Sequence, residues 1–313
     1  MRSRFLPEGR LLHTPENEAA CASCDGLRRA MEEGTVLEGV AQLCDGAHNL
    51  LVSVGPFTGF LPREEAALGI AEGTTREIAI LSRVGKPVCF QITALEESEG
   101  VLRPRLSRRR AQQAALDAML AGLHPGCILP AVVTHLESFG AFVDIGCGVP
   151  SLIGIENISV SRIPHPDQRF RVGQAIFAVV QELDPKLGRV YLTHRELLGT
   201  WLENASLFAP GDTVQGIVRG IQDYGAFIEL TPNLSGLTDR RDDLHEGDAV
   251  SVNIRSLRPE RMKVKLQVIE RLPPLPAPEP LRYWITDGVL ERWVYSPANF
   301  EGEAAETVFT PVP

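Results

Sequence analysis

Two short stretches carry residues suited to non-covalent chemistry. Phe139-Gly140-Ala141-Phe142 and Tyr224-Gly225-Ala226-Phe227 each set two aromatic rings around a Gly-Ala pair. An exposed ring can stack on a planar ligand, and every nucleic-acid base offers such a plane. The competing use is packing, because aromatics in a small barrel often fill its core. The surroundings are repeated too. The stretch from Val132 to Ile145 recurs from Val218 to Leu230, at an offset of about 85 residues, and a fixed offset marks repeated modules.

The elements that must position these rings also recur. Each copy opens on a Gly before an apolar strand, Gly126 before Ile128 and Gly211 before Val214. A later Gly-led apolar strand follows, Val172 to Val180 and Glu246 to Ile254. Each copy closes on a basic-apolar alternation, Arg189 to Leu192 and Lys263 to Leu266. The same anchors expose a third, more diverged copy upstream. Its opening is Gly34 to Val40, its middle strand Leu50 to Val54, its later strand Val84 to Phe90 and its close Val101 to Leu106. His48 and Leu51 stand at its aromatic positions. Short alternating strands split by Gly, Asp and Asn read as small all-β barrels, and the strand count suits five strands each.

These residues resemble the S-one RNA-binding repeat, an OB-fold module named for the largest protein of the bacterial small ribosomal subunit. The resemblance covers about residues 31–271 and is nearest to a short, three-repeat form. It implies three tandem five-stranded OB-fold barrels, all-β, with short helical linkers. The boundaries expected are an N-terminal segment 1–30, a diverged repeat 31–107, a helical linker 108–123, a second repeat 124–197, a linker 198–209, a third repeat 210–271, and a Pro-rich spacer with a C-terminal β-hairpin over 272–313. In the family the Gly-bearing strand bends and brings both aromatics to the binding surface. Carried over by motif, Phe139 and Phe142 stack bases in the second repeat, and Tyr224 and Phe227 do so in the third. Asp184 and Arg189 match the family's acidic and basic positions, the acid orienting the arginine toward phosphate or base. The family's histidine falls at Gly154, so a contact is missing; Arg162 or His165, just after it, would compensate. In the third repeat Asp239 stands near that position, Lys263 takes the arginine's place and Arg258 is close by. The first repeat lacks the stacking pair. Its Gly55 to Pro62 stretch resembles the family's ribosome-docking modules, which implies contact with protein rather than RNA.

A net charge of −9 argues against indiscriminate coating of DNA. It leaves RNA binding open, because stacking and local basic patches can outweigh net charge. Two basic clusters exist: Arg103, Arg105, Arg108, Arg109 and Arg110, and Arg255, Arg258, Arg261, Lys263 and Lys265. Each is either a solvated face or a phosphate-binding strip, and the second is the better candidate because it lies on the closing strand of an aromatic-bearing repeat. No apolar run approaches the ~20 residues of a membrane span, and no signal peptide opens the chain. A cytoplasmic protein is expected. Cys21-Ala-Ser-Cys24 has the spacing of half a zinc site, with only His13 near as a further ligand. No cofactor or metal is expected.

Arg108 to Leu123 is helical in composition, and Leu198 to Phe208 plays a similar linking part. Leu272 to Pro280 is a stiff extended spacer. Beyond it, Asp287-Gly288 is a two-residue turn signal between Tyr283–Thr286 and Val289–Tyr295. Two strands alone are marginal in water, so this hairpin is expected to dock on the third barrel, its aromatics packing there or serving as a further RNA platform. The repeats, linkers and tail use up the chain and leave no catalytic constellation. The function expected is non-catalytic binding of single-stranded RNA, most plausibly messenger RNA on the small ribosomal subunit. The alternatives are an accessory RNA-processing factor or a protein-binding scaffold.

Overall fold

The computed structural model describes residues 5–98, 100–274 and 280–309. Two helices come first, α1 (Pro15–Cys21) and α2 (Cys24–Glu33). Side chains of Thr14 and Ser23 cap their N-termini, and left-handed Gly34 ends α2. Five strands follow: β1 (Leu37–Cys44), β2 (Leu50–Val54), β3 (Phe57–Leu61), β4 (Pro87–Ser98) and β5 (Val101–Ser107), with the single turn α3 (Ile78–Leu81) between β3 and β4. After helix α4 (Arg108–Gly122) come β6 (Ile128–Glu137), β7 (Gly140–Asp144), β8 (Pro150–Gly154), β9 (Ala175–Asp184) and β10 (Arg189–Thr193). Helix α5 (Trp201–Ala205), held by a Thr200–Glu203 capping box, leads to β11 (Thr213–Gln222), β12 (Gly225–Thr231), β13 (Leu234–Thr238), β14 (Ala249–Arg258) and β15 (Lys263–Arg271).

Each set of five strands closes into a barrel with one topology. The orders are β1-β2-β3-β5-β4, β10-β8-β7-β6-β9 and β11-β12-β13-β15-β14. The third strand of each barrel pairs in parallel with the fifth. The chain is therefore all-β in the way expected, three five-stranded OB-like barrels with helical linkers. Alternation drives it: along β15, buried Val264, Leu266 and Val268 separate exposed Lys263, Lys265 and Gln267.

The chain forms two compact units: Met1–Gly122 with Pro130–Val132 and Asp144–Ser151, and Leu123–Leu129 with Val133–Val143 and Leu152–Pro313. In the first, Cys21, Leu27 and Ala30 extend the core of the first barrel. Burial pushes the Cys21 thiol up to about 11, so Cys21 behaves as a core residue while Cys24 is exposed. Among the described residues no group of three His, Cys, Asp or Glu is placed to hold a metal ion. Arg108, from the first basic cluster, is buried. It clasps the Glu8 carboxylate at 2.6 and 2.9 Å, and Arg83 reaches the same group at 3.2 Å. Burial alone would raise the Glu8 carboxyl, but Arg108 and Arg83 outweigh it and hold it below its usual range. The Glu8 N–H in turn donates to Asp144, whose other oxygen accepts from Gly146 and Gly148. Arg109 pairs with Glu65. This part of the cluster is thus structural.

In the second unit, polar bonds and the chain's tail bind the second and third barrels together. Arg169 and Arg219 both grip the buried Glu229 carboxylate. Asn233 is fully buried: its amide donates to the Arg195 and Gly199 carbonyls, its Oδ1 accepts from Val160 N–H, and its carbonyl accepts from the Tyr295 hydroxyl. The C-terminal hairpin lies further along than its turn signal placed it. β16 (Arg292–Val294) pairs with β17 (Glu306–Val308) across residues 295–305. Asp287-Gly288 is not its turn. The Gly288 carbonyl accepts from Ile128 N–H, and Leu290 N–H donates to Gly126. The segment before β16 therefore runs along the second barrel, where Tyr283, Ile285 and Leu290 pack with Val179, Leu197 and Phe309. Pairing with an existing barrel gives this backbone partners and apolar cover that an isolated ribbon lacks. Trp293 and Tyr295 join the core of the third barrel with Trp201, so packing is their use. The spacer expected over 272–280 lies largely outside the described residues.

His194 fixes this tail to the second barrel. Its Nδ1–H donates to the Ile158 carbonyl at 2.8 Å and its Nε2 accepts from the Tyr283 hydroxyl at 2.9 Å. Burial, with the Arg169 charge nearby, pushes the imidazole down to about 4 even though the Ile158 bond favours its charged form. The unfolded chain takes up this proton near the ordinary value of about 6.5. Stability from a neutral His194 is therefore complete above that value and is lost as pH falls toward the folded value, by about 3 kcal/mol in all. Urea denaturation between pH 7 and 4 is expected to show this loss, and His194→Gln is expected to flatten it. An unchanged pH profile in the variant would show that His194 is not the group responsible.

Candidate nucleic-acid interface

The repeated aromatic motif sits at the first turn of the second and third barrels. In the third, β11 ends at Gln222 and β12 begins at Gly225, so Asp223 and Tyr224 form a two-residue connection. Ser138 and Phe139 do the same between β6 and β7. Rings three apart along a straight strand would point to opposite faces. Here the first ring rides on the turn and the second on the strand, and the two meet. Phe139 and Phe142 lie edge to face, 6.0 Å between centroids at 88°. Tyr224 and Phe227 repeat this at 6.2 Å and 88°. The turn depends on glycine. A Cβ on Gly140 would fall 2.4 Å from the Ile153 carbonyl oxygen, and one on Gly225 2.2 Å from that of Thr238. Gly225 also has φ +152°.

Three of the four rings are exposed, Phe139 by 54%, Tyr224 by 66% and Phe227 by 36%, and Phe142 is half-buried. The core of the barrel is filled by their neighbours Ala141, Val143, Ala226 and Ile228. A ring that can be buried gains roughly 1.5–3 kcal/mol by it, and Phe139, Tyr224 and Phe227 forgo most of that gain at one place in two barrels. His135 extends the first pair, stacked on Phe142 at 6.4 Å and 29°. It was not among the residues picked from the sequence. Its signal was weak, a single histidine on the preceding strand, visible only once pairing of β6 with β7 is known.

The charged candidates fall into separate groups. Asp184 and Arg189 face each other across the β9–β10 turn. Asp184 spends Oδ1 on the amides of Lys186 and Leu187, both at 3.0 Å, so it holds the turn. Arg189 is exposed. Arg258 and Lys263 face each other in the same way across β14 and β15, both exposed. Lys265 continues the strip, while Arg261 pairs with Glu301 and Arg255 with Gln267. Arg162 is exposed on the loop after β8, and His165 caps a short turn by accepting from Asp167 N–H at 3.2 Å. Among the described residues neither bonds or stacks with the Phe139–Phe142 pair. In the first barrel the corresponding turn is longer, residues 45–49, and Asp45 folds it by accepting from the amides of Ala47 and Asn49. His48 is held there by Glu77 at 3.0 Å.

Residues 123–195, the second barrel, match the family model of the S1 RNA binding domain. The match runs the length of that barrel, which the chain carries within a tandem array of barrels of one topology. The chain is homologous to ribosomal proteins called small ribosomal subunit protein bS1. One from Leuconostoc lactis is 30% identical over 72% of this chain and 54% of its own length. Another, from Staphylococcus aureus strain COL, is 26% identical over 79% of this chain and 64% of its own. The chain thus spans about half to two thirds of the length of these relatives. A solved multidomain protein with nucleic acid binding domains from Streptococcus pneumoniae is 15% identical over 76% of this chain and 74% of its own, with a TM-score of 0.26.

Exposed cations on a binding wall release counterions when they meet phosphate. Replacing both Lys263 and Lys265 with glutamine is expected to weaken RNA binding and to flatten the plot of log K against log salt. The slope should fall by roughly 0.7 for each phosphate of a single strand that is no longer neutralised. Titrations at several salt concentrations read this. An unaltered slope would leave the strip as a solvated surface.

Proposed function

We propose that the protein binds single-stranded RNA without chemistry, holding messenger RNA during translation on the small ribosomal subunit, in the cytoplasm. The carrying observation is the doubled ring pair, Phe139 with Phe142 and Tyr224 with Phe227, at one turn in two barrels with one geometry, Phe142 half-buried and the other three rings exposed. Stacking needs a free base face, which a duplex hides, so single strands are preferred over double ones. It tolerates any base, which suits a protein that must accept many messages. Phosphates are met by Arg189 beside Asp184 in the second barrel and by Arg258 and Lys263 in the third, with Arg162 and His165 as flanking contacts. The relatives' name supports the ribosomal setting. The first barrel, with His48 tied to Glu77 in place of an exposed ring, is the module assigned to contact with the ribosomal subunit.

Phe139→Ala combined with Phe142→Ala tests the reading. Each stack removed is expected to cost about 1–3 kcal/mol of binding to single-stranded RNA. The circular dichroism spectrum and melting temperature should stay near those of the unaltered chain, because exposed rings add little to the core. The salt slope should hardly move, in contrast to the lysine variant. Binding equal to the unaltered protein would remove the stacking assignment. Sedimentation with small ribosomal subunits tests the setting.

A further inference from the structure

The first barrel has neither Phe nor Tyr at its aromatic positions, His48 and Leu51, but its wall is not bare. Strand register allows the three barrels to be compared row by row. In the third, Phe227 on β12 faces Leu237 on β13, and Leu237 faces Lys265 on β15. In the first, Leu51 on β2 faces Phe60 on β3, and Phe60 faces Arg105 on β5. In the second, Leu152 on β8 faces Tyr191 on β10. One row thus crosses the same wall of each barrel. In the first barrel the aromatic has moved one strand along it, from β2 to β3, and a guanidinium stands beside it. Arg105 lies over the Phe60 ring, 5.8 Å from the centroid.

The next row supports this. Arg103 faces Glu96 as Arg189 faces Asp184 and Lys263 faces Arg258. The first barrel therefore has a cation at the place where the other two have theirs, and Arg103 is exposed. The corner that would hold a turn-borne ring is closed instead, with Glu77 gripped by Arg63 and His48. The Glu96 carboxylate, 3.6 Å from Arg105, is the competing anion. Both side chains are well exposed, and such pairs contribute little, so a phosphate can take its place.

We propose that Phe60, Arg105 and Arg103 form a further single-stranded nucleotide site, on the wall of the first barrel. One base stacks on the Phe60–Arg105 pair, and Arg103 meets a neighbouring phosphate. A ring with a guanidinium beside it suits a base, whose π face accepts both, while two arginines on one strand suit the backbone. This rests on the reading that the barrels bind single-stranded RNA. It leaves the other faces of the first barrel free for protein.

The test uses the full chain and an oligouridylate of about 40 nucleotides carrying 4-thiouridine, long for the ~4–16 nucleotides one OB barrel occupies. Photo-crosslinking followed by peptide mapping is expected to mark the peptide that contains Phe60. Phe60→Leu keeps apolar bulk and should lower affinity roughly fivefold or more, the lower end for removal of one stack. Phe60→Tyr should restore binding, and Arg105→Gln should weaken it without touching the core. If Phe60→Leu fails to fold, the crosslink on the unaltered chain and the Arg105→Gln affinity decide. No crosslink at Phe60, with unaltered affinity in Arg105→Gln, overturns the site and leaves this wall to protein contact. Phe139→Ala with Phe142→Ala runs alongside. If that variant also binds normally, the RNA reading itself has failed; if it alone weakens binding, only the first-barrel site has.

Discussion

The close approach of backbone to backbone at Gly140 and Gly225 is the constraint on which the binding surface depends. A carbonyl oxygen from the next strand occupies the space any side chain would need. Each glycine follows a two-residue turn, and the turn sets one ring where the strand's own ring can meet it. The first barrel illustrates the converse. Asn49 begins the approach to β2 instead of glycine, the turn is five residues long, and the ring pair is gone.

The second and third barrels share more than a fold. Glu229 is buried between two arginines, and one carboxylate between two cations away from water is tolerable only with its bonds complete. Asn233 places every polar group of its amide on backbone from the linker and the neighbouring barrel. Such bonds add modest net stability but penalise any other arrangement, because separation strands buried polar atoms. Two surfaces held in one fixed relation meet a shared ligand with less ordering cost than two on a flexible tether.

Much of this was legible in the sequence. The repeat, the barrel strands, α4 and the ring positions all follow from short-range pattern, since alternation and glycine placement act within a few residues. What escaped depended on long-range partners. Asp287-Gly288 has the chemistry of a hairpin turn, but the backbone there found Gly126 and Ile128 across the fold instead. Arg108 reads as one of several clustered arginines and proves to be buried against Glu8, 100 positions away in a segment of no visible pattern. His135 joins the ring cluster only through pairing of neighbouring strands. Phe60 lies within the Gly55 to Pro62 stretch read as a protein contact, and its place opposite Arg105 needs the parallel pairing of β3 with β5.

The tail's part in the core bears on how the protein is made. Trp293, Tyr295 and Phe309 complete hydrophobic clusters that begin near residues 128 and 201. During synthesis from the N-terminus, the barrels of the second unit leave the exit tunnel with these positions unfilled. They gain these contacts only when the tail arrives. The first unit waits only for the short loop around Asp144. A nascent chain paused before residue 283 would therefore pair a finished first unit with an open, sticky second one. Such a chain is a natural client for a chaperone, and premature termination in the tail would cost more than the tail's own length suggests.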